Sequence, residues 1–163
     1  MIKLIRCDDR LIHGQVIVRV ILDFNINKIV IVDDFTASNE VLKNVFTMAT
    51  PPQAKSVIYS IAQAIEELPK FIENKENVLL LMRSPMTGLK LFDSIPELKK
   101  EFNIGPMSNR KNTIKITPYA YLTREEVDSI VSLEERGIYV YFNQTLDQKT
   151  IKWEDIKSQI NLD

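Results

Sequence analysis

The residues able to do chemistry cluster near the start of the chain. Its one histidine, His13, lies in the run Asp8-Asp9-Arg10-Leu11-Ile12-His13-Gly14-Gln15, next to its one cysteine, Cys7. An imidazole is a nucleophile at neutral pH without special activation. The planar guanidinium of Arg10, just upstream, suits phosphate oxygens. A helix starting near Gly14 or Gln15 would turn its free N–H groups and positive dipole end toward the ring, which makes an anion site. Gly14 has no Cβ to block a bulky anion. The pattern therefore suits a phosphoryl group carried on a ring nitrogen, with Asp8 or Asp9 accepting the other ring N–H and fixing the tautomer. The bland alternative is a histidine that caps a helix or stands in solvent. Spacing alone favours that alternative.

Other chemistries are excluded or unsupported. One cysteine cannot form an internal disulfide or a Cys-based zinc site. One histidine excludes HExxH, and no metal or cofactor is expected. There is no GxGxxG after a strand, no GxxxxGK[ST] and no GxSxG. Asp8-Asp9 resembles a two-carboxylate magnesium site, but a phospho-aspartate receiver also needs an Asp after the third strand, where this chain has Tyr59-Ser60.

The elements that must position His13 follow from the hydrophobic pattern. The chain has 163 residues, 45% apolar and 26% charged, with a net charge of −1, as expected of a globular protein. That balance gives no general attraction to nucleic acid or anionic membranes. No apolar run approaches the ~20 residues of a membrane helix. The N-terminus runs into charges without a leader pattern, so a cytoplasmic location is expected. Ile2–Arg6 reads as a first strand and Gly14–Phe24 as a buried helix, with Val16, Val20 and Phe24 on one face beside Ile17 and Ile21. Lys28–Asp33, Lys55–Tyr59, Asn77–Met82, Glu101–Ile104, Thr113–Thr117 and Ile138–Phe142 read as strands. Between them, Ser38–Ala49 (Ser38 as N-cap), Ile61–Leu68, Pro85 to about Phe92, and Thr123–Arg136 with Gly137 beyond it read as helices. Trp153–Ile160 reads as a short helix. The alternation predicts one α/β domain over residues 1–163. Its open sheet is mainly parallel with helices on both faces, and an antiparallel edge strand is compatible. Ligands then bind at strand carboxyl ends, which selects the loops Asp8–His13, Asp33–Thr36, Arg83–Thr87 and Gly105–Asn109.

Asp8-Asp9-Arg10-Leu11-Ile12-His13-Gly14-Gln15-Val16 resembles the signature of EIIB subunits of the mannose/fructose/sorbose family of the sugar phosphotransferase system (PTS). Ile31-Val32-Asp33-Asp34 is similar to the family's VVDD, Ala49-Thr50-Pro51-Pro52 to its APP, and Ile104-Gly105-Pro106-Met107 to its VGNM-like loop, in the same order. The resemblance implies an open α/β sheet and a phosphoryl carrier, in which His13 is phosphorylated and Arg10 binds the phosphoryl group while Asp9 helps hold the loop. It implies a IIA donor charged by HPr, and transfer to mannose, fructose, sorbose or an N-acetylated amino sugar through membrane subunits IIC and IID. The protein would thus be a cytoplasmic phosphotransferase at the membrane permease. One departure stands out: Gly105-Pro106-Met107-Ser108 occupies the place of GNMH, which bears on partner or sugar choice. The rival from another class is a non-catalytic α/β anion-binding or regulatory module.

The remaining candidates are supporting ones. Gln15 follows Gly14 in the motif. Asp33 and Asp34 either line the crevice or end a strand in solvent. Ser84 either donates to a phosphoryl oxygen or caps a helix. Gly105 belongs to the fifth-strand loop. Arg110, Lys111 and Lys115 form a small basic cluster that meets an acidic donor or is simply solvated. Cys7 reads as a small buried hydrophobe, and Trp153 as packing on the sheet edge.

Overall fold

Strands rich in Val, Ile and Leu must be covered on both faces, and the architecture follows from that requirement. The computed structural model describes residues 1–162. In chain order the elements are β1 (Ile2–Cys7), α1 (Gly14–Phe24), β2 (Lys28–Val32), α2 (Asp34–Ala37), α3 (Glu40–Ala49), β3 (Lys55–Tyr59), α4 (Ile61–Glu67), α5 (Pro69–Ile72), β4 (Val78–Met82) and α6 (Pro85–Ser94). They continue with β5 (Glu101–Ile104), β6 (Thr113–Thr117), β7 (Ala120–Thr123), α7 (Arg124–Glu135), β8 (Tyr139–Phe142), β9 (Ile151–Lys152) and α8 (Trp153–Ile156).

Among the described residues, the main sheet has seven strands in the order β3-β2-β4-β1-β5-β8-β9. Every pairing is parallel except β8 with β9, so β9 is the antiparallel edge strand. Alternate side chains feed two cores. Val30, Val32, Leu80 and Met82 pack under α4, α5, α6 and α7. Ile29, Ile31, Leu79 and Leu81 pack under α1 through Ile17, Val20 and Ile21. The helix after β1 thus lies on one face, and the helix after its neighbour β4 lies on the other. Their diverging loops open a crevice at the carboxyl ends of these central strands.

Local chemistry sets several boundaries. Thr123 caps α7 in a reciprocal capping box with Glu126, and Ser60 caps α4 with Gln63 in the same way. Gly137 takes the left-handed φ of +76° just past the end of α7. Three expectations are corrected. Ser38 does not cap the third helix; Asn39 does, accepting from Leu42 N at 3.1 Å, because Asp33 starts a separate short turn, α2. The fourth helix stops before Leu68, and Pro69 opens α5. Thr113–Thr117 is a strand, as expected, and it pairs antiparallel with β7 around Pro118-Tyr119, outside the main sheet. The tail helix stops at Ile156 and tightens into a 3-10 turn at Lys157–Gln159.

Cys7 is fully buried at the end of β1, with its sulfur 3.8 Å from that of Met107. Burial pushes its thiol well above the ordinary value, and nearby acidic groups add to the shift. The thiol of the folded protein should therefore resist a disulfide reagent at mildly alkaline pH and react fully only with global unfolding in denaturant. Rapid labelling without denaturant would contradict this packing.

Candidate functional site

The loop after β1 is pinned by its apolar residues. Asp8 N donates to Met82 O, and Leu11 N donates back to Asp8 O, both at 3.0 Å. Leu11 holds a left-handed φ of 56°, uncommon for a residue with a side chain. Its side chain is fully buried in the core beneath α1, and Ile12 is buried beside it. This anchoring sustains the local strain. It leaves Arg10 half-exposed and His13 partly open on either side. Gly14 begins α1 at φ +50°, and a Cβ there would meet nothing within 4 Å. The glycine thus meets a backbone need, and the space around it is open.

His13 occupies the N-cap position of α1, but its side chain makes no capping bond, which removes the bland helix-cap reading. Instead Nδ1 lies 3.1 Å from the Leu11 carbonyl oxygen, an acceptor, so Nδ1 carries the proton in this pose. Nε2 is buried without a hydrogen-bond partner among the described residues and sits 3.8 Å from Asp8 Oδ2. Neither Asp8 nor Asp9 accepts a ring N–H in this pose, but Asp8 is the carboxylate under the ring. It is almost fully buried. It accepts from Arg10 N at 3.1 Å and Arg10 Nε at 3.4 Å, and it pairs with Arg6 at 3.7 Å. Burial raises the pKa of its carboxyl; the Arg10 N–H bond and the His13, Arg6 and Arg10 charges oppose that rise.

Asp9 turns the other way. Its Oδ2 accepts from Ser108 N at 2.6 Å, its own N–H donates to Pro106 O at 3.4 Å, and its carbonyl accepts from Arg83 Nη1 at 3.2 Å. These bonds tie the histidine loop to the loops after β4 and β5. The departure at Pro106 and Ser108 leaves this frame intact, because the contacts use the Pro106 carbonyl and the Ser108 main-chain N–H.

Sequence reasoning missed Arg6. This arginine is fully buried in the central strand. Its Nη1 donates to Asn103 Oδ1 and, at 3.4 Å, to Asn143 O, while Nη2 donates to Gln144 O at 3.1 Å. Desolvation lowers its pKa and Asp8 opposes the shift. Gly105 lies against this guanidinium, and a Cβ at Gly105 would collide with it. The available signal was an arginine near the carboxyl end of the first strand, among Leu4, Ile5 and Cys7 and two residues before the Asp8 of the motif.

The other candidates separate. Arg83, Ser84, Asp9 and Met86, with Arg110 and Glu126, line a cleft of about 270 Å³ on this sheet edge. Ser84 Oγ caps α6 by accepting from Met86 N at 3.1 Å. Asp33 caps α2 through Thr36 and lies 3.7 Å from Arg83 Nε, so it belongs to the same edge. Asp34 turns away to accept from Ile61 N at 2.8 Å. Arg110 is not part of a free basic patch, because Glu126 holds its Nη2 with both oxygens at 2.9 Å. Gln15 is exposed on the first turn of α1 and borders a separate groove with Val16, Arg19 and Leu146. Among the described residues there is no cluster of metal-ligating side chains and no helix long and apolar enough to cross a membrane.

Residues 2–162 match the model of a family described as the PTS system sorbose subfamily IIB component. The chain is 28% identical over 163 residues to the mannose-specific EIIAB component of the PTS in Escherichia coli strain K12, covering 99% of this chain and 50% of that protein. It thus spans about half the length of that curated relative. It is 30% identical over 140 residues to the sorbose-specific EIIB component of Lacticaseibacillus casei, covering 85% and 84% of the two chains. The crystal structure of manxB from Thermoanaerobacter tengcongensis superposes with a TM-score of 0.87 at 30% identity, covering 98% of this chain and 96% of that one.

Two glycine substitutions test the geometry. Gly14→Ala should cost about 1–2 kcal/mol through its left-handed backbone. Gly105→Ala should cost about 1–3 kcal/mol by overpacking against Arg6. Urea midpoints at unchanged m-value give both numbers, and a Gly105→Ala protein as stable as wild type would contradict the packing of Arg6.

Proposed function

We propose how this chain, which belongs to the sorbose subfamily of PTS IIB components, carries out the sugar phosphotransfer of its family: His13 is the phosphoryl carrier and Arg10 its clamp. The observation that carries this reading is the loop itself. The imidazole stands at the N-cap of an eleven-residue helix whose first turn it leaves uncapped, with the half-exposed Arg10 beside it. A ring nitrogen of His13 attacks the phosphorus of a phosphohistidine on a IIA donor, itself charged by HPr. The new P–N bond forms as the donor P–N bond breaks, and the donor imidazole leaves. Arg10 and the first N–H groups of α1 meet the negative charge on the phosphoryl oxygens. Positioning and charge stabilisation then supply most of the rate, as in phosphoryl transfer generally.

In the observed pose both ring nitrogens face acceptors, Leu11 O and Asp8 Oδ2. The ring therefore turns out of this seat before either nitrogen meets a phosphorus. In the second half-reaction a sugar hydroxyl, presented by membrane subunits IIC and IID, takes the phosphoryl group and His13 returns to its free form. Asp9, Gly105, Arg83 and Asp33 frame the loop, while Gly14 and Gln15 form the helix start that faces the group. Both partner contacts are transient and share the sheet edge around His13. The protein works in the cytoplasm beside the permease.

Intact-mass spectrometry at neutral to alkaline pH tests this reading, after incubation with phosphoenolpyruvate, Enzyme I, HPr and a family IIA domain. A single phosphate adduct, lost in mild acid and absent from a folded His13→Ala protein, is expected. Arg10→Lys should slow transfer about 10–100-fold, the scale of a lost charge-assisted clamp, with little change in stability. Anion binding without a covalent adduct, in the presence of a phosphorylated donor, would instead identify a binding module.

A further inference from the structure

We propose that the buried pair Arg6–Asp8 is the positioning device of the phosphoacceptor loop: Arg6 holds the Asp8 carboxylate in place, and Asp8 aims the Arg10 guanidinium beside His13. This rests on the carrier reading above. The Asp8 carboxylate serves both motif residues at once. Its Oδ1 accepts from Arg10 N at 3.1 Å and from Arg10 Nε at 3.4 Å. Its Oδ2 lies 3.7 Å from Arg6 Nη2 and 3.8 Å from His13 Nε2. Occupying Nε fixes the plane of the Arg10 guanidinium, and its two terminal nitrogens have no partner among the described residues. They are the fork that meets two phosphoryl oxygens.

A carboxylate this buried needs a permanent counter-charge to stay ionised. Arg6 is the one cation buried with it among the described residues. The other charged or titratable groups facing Asp8 are Arg10 and His13 from the loop and the neutral Cys7 thiol. From β4 the Met82 carbonyl accepts from Asp8 N, while Asn103 on β5 and Asn143 and Gln144 after β8 bond Arg6 rather than Asp8, and all four residues are uncharged. The same three partners, Asn103, Asn143 and Gln144, hold the Arg6 guanidinium from behind. Gly105 leaves the space that lets it sit between β1 and β5. Arg6 therefore acts through Asp8, as a support acts on a contact residue.

The test uses the nitrogen-labelled full chain and follows the arginine Nε–H signals by NMR alongside phosphorylation by a phospho-IIA domain. In wild type the Arg10 Nε–H signal should be shifted and protected from exchange. In Asp8→Asn, which keeps the shape, it should move to the position of a solvated arginine. The turnover rate should fall about 10–100-fold, the size expected for a lost charge-assisted bond. KM for the donor should hardly change, since the docking surface is intact. Arg6→Met should reproduce both effects; if it does not fold, Gly105→Ala displaces the guanidinium without removing it and should move the same signal. A purely structural Arg6 would leave the Arg10 signal in place in any folded variant. A folded Asp8→Asn with an unmoved Arg10 signal and wild-type transfer overturns the proposal. A wild-type protein that takes no phosphate while its Arg10 signal still depends on Asp8 overturns the carrier reading, and with it the role in transfer, but not the charge chain.

Discussion

A cation buried inside the central strand organises this fold. Arg6 has no access to solvent, and removing a guanidinium from water costs several kcal/mol unless polar groups replace the water. The replacements come from four places: Asp8 at the end of its own strand, Asn103 on β5, and the carbonyls of Asn143 and Gln144 after β8. Satisfying one side chain therefore ties together three parallel strands and the loop that carries His13. The face of the sheet beyond β1 accordingly becomes polar, while the strands on the other side of β1 stay Val- and Leu-rich and lie under α1. Tyr141 lies on that polar face, and burial pushes its phenol up to about 12.

The crevice arises from the order of the strands. β1 lies between β4 and β5, so its loop emerges at the middle of the carboxyl edge. The helices that follow β1 and β4 leave toward opposite faces, which exposes that loop. Asp9 and Arg83 then join the loops after β1, β4 and β5, mostly through main-chain groups. The side chains of Pro106 and Ser108 take no part in this frame, which uses the Pro106 carbonyl and the Ser108 main-chain N–H.

Three elements show how strongly local chemistry is overridden. Leu11 accepts an unfavourable left-handed backbone because the core beneath α1 holds its side chain. Thr113–Thr117 has strand composition, yet the sheet positions beside β5 and β8 are taken, so it pairs locally with Ala120–Thr123. Arg110 carries a charge suited to a partner, but Glu126 is within reach and takes it in a bidentate pair. In each case proximity across the chain decided between two outcomes that local composition left open.

The sequence by itself determined the α/β class, seven of the strands, the main helices and the nine-residue motif that points to the family. These rest on short-range signals: apolar runs, capping residues such as Thr123 and Glu126, and the contiguous Asp8–Val16 motif. The short strands Ala120–Thr123 and Ile151–Lys152 were not legible, because strands this short have no period to read and exist through their partners. Nor was the difference between Asp8, which lies under the imidazole, and Asp9, which reaches the β5 loop; adjacent residues of one type are separated only by the turn between them. The tertiary structure alone decided that Arg6 is buried, that Gly105 must lack a Cβ, and that Asp34 faces α4 while Asp33 faces Arg83. Each is a contact between residues distant in the chain, and its energy depends on burial and charge pairing that no local pattern encodes.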